Sequence, residues 1–343
     1  MIKQILEKKM LEMAAVQHKN EDNVLSLQNV VGVSLGNRIK KDRETDEPVI
    51  SVLVNHKVDR GLLDESQIIP QKLDDISTDV VEVGDIFAGD NQPTPTGLVG
   101  TGAGNETLET ANTEFSPSLK KRVRPARGGF SVGHYQITAG TIGTCCYDSD
   151  PFPGMPGKYY ILSNNHVLAN SNEARIGDPI LQPGPYDGGR LAADVIARLT
   201  RFVPIRFISG KDEPVNYVDA ATAEGSLADL DRAVYWIGSV KRLYEAPKIG
   251  DIVQKTGRTT GFTTGKVTNI NGTVYVNYSG GKVARFTQQI ITTAMSAGGD
   301  SGSLVTNLDE GAVGLLFAGS STTTIVNNIA WVQALLKVRV TEK

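Results

Sequence analysis

From about residue 130 onward, short β-branched and aromatic runs recur between glycine-rich turns: YQITAGTIGTCC, KYYILSNNHVLA, ADVIARLTRFV, YVDAATAE, DIVQKTG, FTTGKVTNI, TVYVNY, ARFTQQIITT, GSLVT and GAVGLLFAG. Strand-length segments with turn signals at such close intervals restrict this region to an all-β sandwich or barrel. The run NNIAWVQALLKVRV then places Ile329, Val332, Leu335 and Leu336 on one helical face, so a single helix is expected to close the β domain.

The rest of the chain differs. At 343 residues the sequence is long for one ordinary domain. Residues 1–88 read as a small α+β unit. Ile2, Ile5, Leu6, Met10, Met13 and Val16 recur at helical spacing, and NVVGVSLG, PVISVLVNHKV and STDVVEVGDIF read as strands. The helix is expected to pack on its own domain; a regulatory partner bound through it is the alternative. Residues 89–128 are rich in Gly, Pro, Thr and Asn and finish in the basic run KKRVRPAR, so a linker is expected there, followed by the β domain over 129–343.

Composition narrows the function classes. A hydrophobic fraction of 40% is enough for a packed core, and a net charge of -3 gives no general attraction to nucleic acid or an anionic membrane. No apolar stretch reaches the length of a membrane span. Charges interrupt the N-terminal segment, which therefore does not read as a secretory signal. The two cysteines, Cys145 and Cys146, are adjacent; neighbours on a strand point to opposite faces and do not normally bridge. The expectation is a reducing, cytoplasmic setting with no disulfide framework.

One stretch raises a chemical question. AMSAGGDSGSLV, residues 294–305, sets Ser301 among glycines directly after Asp300. A surface turn would use the same residue types, but so would a nucleophile whose backbone must also donate hydrogen bonds. A serine hydroxyl is a weak nucleophile at neutral pH; it needs a base within reach, and the base needs an orienting group. Among the four histidines, His18 lies in the charged first helix, His56 in the N-terminal unit and His134 at a strand edge. His166 ends the apolar run ILSNNHVLA where a strand passes into a polar turn, the place for a rigid side chain at a cleft. For the acid, Asp219 is embedded in Val218, Ala220 and Ala221, and a buried aspartate needs a donor such as histidine Nδ1–H. Asp229 and Asp231 are rivals that read more like a solvated turn.

The order His166, Asp219, Ser301 is the chymotrypsin order. SNNHVLA and GGDSGSLV resemble the histidine and nucleophile segments of chymotrypsin/trypsin-like serine proteases. VQKTGRTTGFTTGKVTNI followed by VYVNYSGGKVARFTQ resembles the bacterial α-lytic and streptogrisin branch, and the KxGRxxGxTTG block is similar to the plant narrow-leaf type proteins and their bacterial relatives. The resemblance covers roughly residues 130–343, leaving the N-terminal region outside it. It implies a mainly β fold: a double six-stranded β-barrel chymotrypsin-like protease domain with a C-terminal helix, preceded by the small α+β domain. It also implies an oxyanion hole from the backbone N–H groups of Gly299 and Ser301, and Asp300 turned inward to hold the loop. Substrate would be bound by Met295 and Ser296 near the base of the primary pocket and by Phe317, Ala318 and Gly319 on the cleft wall. Positions that carry cysteine in the secreted branch hold Gln254 and Thr264 here.

The activity so implied is that of a serine endopeptidase working through a covalent acyl-enzyme on protein or peptide substrates, with neither metal nor other cofactor. The competing expectation is a protease-fold regulatory or binding protein that is inactive or autoinhibited. With no aspartate near Met295 and Ser296, preference for Lys or Arg is not expected; a small or medium apolar residue is.

Overall fold

The computed structural model describes residues 2–41, 43–95, 118–151 and 157–341. It begins with helix α1 (Ile2–Leu25), followed by strands β1 (Val30–Lys40), β2 (Arg43–Val54) and β3 (Ile76–Glu82). Met13, Val24 and Leu25 of α1 are buried with Val33, Leu35, Ile50, Val52 and Val54, so the helix packs on its own chain. The side chains of Ile2, Ile5 and Leu6 lie outside the described residues.

Past a two-residue strand β4 (Phe87–Ala88), the β domain builds two sheets. The first contains β5 (Ser131–His134), β6 (Thr144–Asp148), β7 (Tyr159–Ser163), β8 (Pro179–Leu181), β9 (Val195–Phe202) and β10 (Ala221–Gly225) in the order β6-β7-β10-β9-β8-β5. Its core holds Val132, Ile142, Cys145, Ile161, Ile180, Leu199 and Ala223. The second contains β11 (Ile252–Gly257), β12 (Gly261–Asn277), β13 (Val283–Thr293), β14 (Leu304–Asn307), β15 (Gly311–Gly319) and β16 (Thr323–Asn328). Its order β13-β16-β15-β14-β11-β12 closes through the additional pairing of β12 with β13, giving a six-stranded barrel. Closure removes exposed edges, the usual liability of an antiparallel sheet. Helix α3 (Ile329–Leu336) follows, capped by Asn328, whose side chain accepts from Ala330 N–H, and it buries Ile329, Val332 and Leu336 between the sheets. Sheets of this kind with a closing helix make the chain mainly β with a chymotrypsin-like fold.

The N-terminal unit continues the second barrel. β1 pairs antiparallel with β12, Gly32 opposite Val274 and Gly36 opposite Asn269, while β2 and β3 extend the sheet outward. The segment expected as a linker, residues 89–128, is packed at both described ends. Directly after Phe87–Ala88, a strand in the second barrel's sheet, Gly89–Asn91 makes a single turn into the buried Gln92, and the basic run is docked on the first sheet. There Ala126–Gly128 pairs with Leu230–Val234, Gln182 accepts from Val123 N–H, and Arg127 meets Asp231 at 3.0 Å. Residues 96–117 of that expected linker lie outside the described residues. STDVVEVGDIF, expected as one strand, breaks into β3 and β4 because Gly84 adopts a left-handed conformation (φ 76°).

Both cysteines are free and buried, Cys145 in the first core and Cys146 between the sheets. Among the described residues no helix is long and apolar enough to cross a membrane.

Candidate active site

His166 stands on a one-turn helix, α2 (Asn165–Leu168), directly after β7. The two asparagines before it lock the turn: Asn164 Nδ2 donates to the Asp219 carbonyl (2.7 Å) and Asn165 Nδ2 to the Val203 carbonyl (2.8 Å). Asp219 precedes β10 and is fully buried. Its backbone N–H donates to Asn327 Oδ1 on β16 (3.0 Å), which ties the loop to the second barrel. His166 Nδ1 lies 2.6 Å from Asp219 Oδ2, and His166 N–H donates to Oδ1 (3.2 Å). A carboxylate only accepts, so Nδ1 carries the proton and Nε2 keeps its lone pair. A third donor joins them: Tyr278 Oη donates to Asp219 Oδ2 at 2.8 Å. Burial pushes the Tyr278 phenol well above its ordinary value, and the adjacent carboxylate adds to that, so it remains a donor.

The rival acids are elsewhere. Asp231 pairs with Arg127 and Asp229 lies 3.8 Å from Arg124. Of the other histidines, His134 is buried against Asp178 at 3.0 Å, His18 is exposed beside Glu21 and His56 contacts Asn29.

Ser301 begins the turn into β14 and is buried. Its hydroxyl donates to the Phe317 carbonyl at 3.4 Å; His166 Nε2 is buried with no partner among the described residues. Gly299 has φ 92°, in the left-handed region, and a Cβ there would collide with the Arg258 guanidinium. Neither Gly299 N–H nor Ser301 N–H is engaged by a protein acceptor among the described residues.

Asp300 turns inward, and the block KTGRTTG encloses it. Oδ1 accepts from Thr259 N–H (2.8 Å) and Thr260 N–H (3.1 Å); Oδ2 accepts from Thr260 Oγ1 (2.6 Å) and Ala297 N–H (3.1 Å). Lys255, wholly buried on β11, completes the set with Nζ 3.1 Å from Oδ2. Burial pulls the Lys255 ammonium below its ordinary value, which the Asp300 charge opposes. The loop that carries Asp300 and Ser301 thus has an internal counter-ion.

Of the expected substrate contacts, Ser296 is buried with its hydroxyl 2.9 Å from Thr324 Oγ1. Met295 belongs instead to the core of the second barrel, among Val253, Val267 and Val305. Phe317 packs on Phe286, ring centroids 4.7 Å apart, while Ala318 and Gly319 form the edge of β15. Tyr278, Lys255 and Gln92, all central to this geometry, were not singled out by the sequence. The KTGRTTG block was the signal for Lys255, and Tyr278 closes the VYVNY run.

Residues 8–83 match the family model described as the NARROW LEAF 1 N-terminal domain. That likeness therefore falls on the N-terminal unit, which the sequence analysis left outside any resemblance. Solved structures similar to the chain include Thermobifida fusca protease A (18% identity, TM-score 0.43, covering 63% of this chain and 97% of that one). Others are a Nocardiopsis protease (20%, 0.43, 62% and 97%) and Cellulomonas bogoriensis chymotrypsin (18%, 0.42, 63% and 98%). No curated protein matches the sequence.

Proposed function

We propose that the protein is a serine endopeptidase. In this reading Ser301 Oγ attacks the carbonyl carbon of a peptide bond while His166 Nε2 takes its proton. His166 then returns that proton to the leaving amine, and water hydrolyses the acyl-enzyme by the same route. Asp219 holds the histidine tautomer and stabilises the imidazolium. The N–H groups of Gly299 and Ser301 receive the developing oxyanion, an interaction of about 3–4 kcal/mol in comparable sites. Substrate backbone lies along Phe317, Ala318 and Gly319, with the recognised side chain toward Ser296.

The observation that carries the reading is the buried Asp219 carboxylate 2.6 Å from His166 Nδ1, with His166 Nε2 left without a partner among the described residues and so available to take a proton. The test combines a fluorophosphonate probe with intact mass. Wild type should gain one adduct at Ser301, and Ser301→Ala and His166→Ala should gain none. On a casein-type substrate, Asp219→Asn should lower the rate about 10⁴-fold through the wrong tautomer. Full activity in Ser301→Ala would end the proposal.

A further inference from the structure

The cleft already has an occupant drawn from the same chain. β4 pairs antiparallel with the end of β15 that lies beyond its pairing with β14, Ala88 opposite Ala318 and Phe87 opposite Gly319. Those are the wall residues along which a substrate backbone would lie, and an added strand on a sheet edge is a general mode of peptide binding. The next residue, Gly89, abuts the histidine: a methyl carried there would lie 3.7 Å from His166 Cδ2 and 3.9 Å from Nε2.

The chain then turns through Gly89–Asn91 and buries Gln92, which is 4% exposed. Gln92 Nε2 donates to Ser296 Oγ (2.6 Å) and to the Ser296 carbonyl (3.1 Å). It passes over Gly319, where a Cβ would come within 2.5 Å of Nε2. The missing side chain at Gly319 is what opens the pocket to Gln92. Meanwhile Ser301 Oγ is turned to the Phe317 carbonyl, and His166 Nε2 has no partner among the described residues.

We propose that residues 83–92 form an internal strap that holds the substrate cleft closed: Phe87–Ala88 takes the place of a substrate backbone on the wall strand, and Gln92 takes the place of the recognised side chain. This rests on the serine endopeptidase reading and adds its regulation. The strap is anchored at its start. Val83 and Ile86 are buried in the second barrel's core with Ala88, Asn277 N–H donates to the Ile86 carbonyl (2.9 Å), and Thr322 Oγ1 donates to the Val83 carbonyl (3.1 Å). Its far end is held less well. Gln92 Oε1 is buried without a partner among the described residues, a cost that release to water removes. Opening therefore starts at Gln92, and a peptide entering the cleft competes with the strap for the wall strand. The pocket that Gln92 fills is neutral and hydroxyl-lined by Ser296 and Thr324, so it suits an uncharged polar side chain at least as well as the apolar one expected from sequence.

The experiment measures the rate of fluorophosphonate labelling at Ser301 in the full chain, for wild type, Gln92→Ala and Ala88→Asp, with thermal melting of each. Gln92→Ala removes the pocket anchor; Ala88→Asp forces a charge into a buried strand position and expels β4. Slow labelling of wild type and at least tenfold faster labelling of either folded variant, with faster amide exchange at Ala318 and Gly319, is the expected result. Labelling at equal rates in all three overturns the strap and leaves the endopeptidase reading standing. Absence of labelling in all three removes both.

Discussion

At the scale of single residues, Tyr278 adds a second side-chain donor to Asp219, its phenol arriving from the end of β12. A hydrogen bond to a buried carboxylate contributes about 1.5–3 kcal/mol. Tyr278→Phe keeps the ring that packs on Phe207 and His166 and deletes only that donor. The expected outcome is roughly a tenfold to hundredfold loss of kcat with KM little changed, since the lost bond orients the acid and not the substrate. A change confined to KM would refute this role. The pairing of His166 with Asp219 was legible in the sequence, and Ser301 stood out as a candidate beside it, because each stands in a distinctive local context. Tyr278 and Lys255 were not, because their partners are set by strand register. A lysine beside Gln254 reads as surface until β11 pairs with both β12 and β14 and turns it inward.

At the scale of elements, the turn after β11 links the two sheets. Arg258 Nε and Nη2 each donate to Asp187 at 2.6 Å, and Arg258 N–H donates to Thr141 Oγ1 (3.0 Å). Burial opposes ionisation of Asp187, but the hydrogen bonds from Arg258 and Ser131 outweigh it and hold the carboxyl below its ordinary value. A depressed carboxyl contributes stability that is complete above its unfolded value, near pH 4, and is lost as pH falls through the lower folded value. Acid unfolding followed by fluorescence should therefore be shallower in Asp187→Asn than in wild type, and the variant should already be less stable at neutral pH. Identical acid profiles would remove the pair from the account. The basic run shows the limit of composition as a guide. KKRVRPAR has the charge density of a solvated linker, yet Arg124 and Arg127 are committed to Asp229 and Asp231. Those aspartates lie more than a hundred residues away, and no local pattern announces them.

At the scale of the whole molecule, the sequence supported two units, because their periodicities differ, but not the seam between them. That seam is a strand pairing and a set of buried polar contacts, neither of which leaves a periodic trace. Besides the β1–β12 ladder, Gln17 Nε2 donates to the Asn271 carbonyl (2.8 Å), Thr273 Oγ1 donates to Glu21 Oε2 (3.0 Å), and Arg285 on β13 meets Glu21 at 3.1 Å and Asp22 at 2.7 Å. Burial would lower the Arg285 guanidinium, but Asp22 and Glu21 overcome it and hold it above its ordinary value. Removing one member of a buried pair costs about 3–5 kcal/mol. A chain beginning at Val83 keeps the strap but loses α1 through β3, so it strands Arg285 and uncovers the edge of β12 where Gly32 through Gly36 had paired. It is expected to unfold at a markedly lower urea concentration than the full protein and to self-associate through the opened edge. Glu21→Ala, which leaves every strand in place, should reproduce the part of that loss due to the ion pair. Equal urea midpoints for the full and shortened chains would make the N-terminal unit an appendage, and the continuous sheet would then carry no stability across the seam.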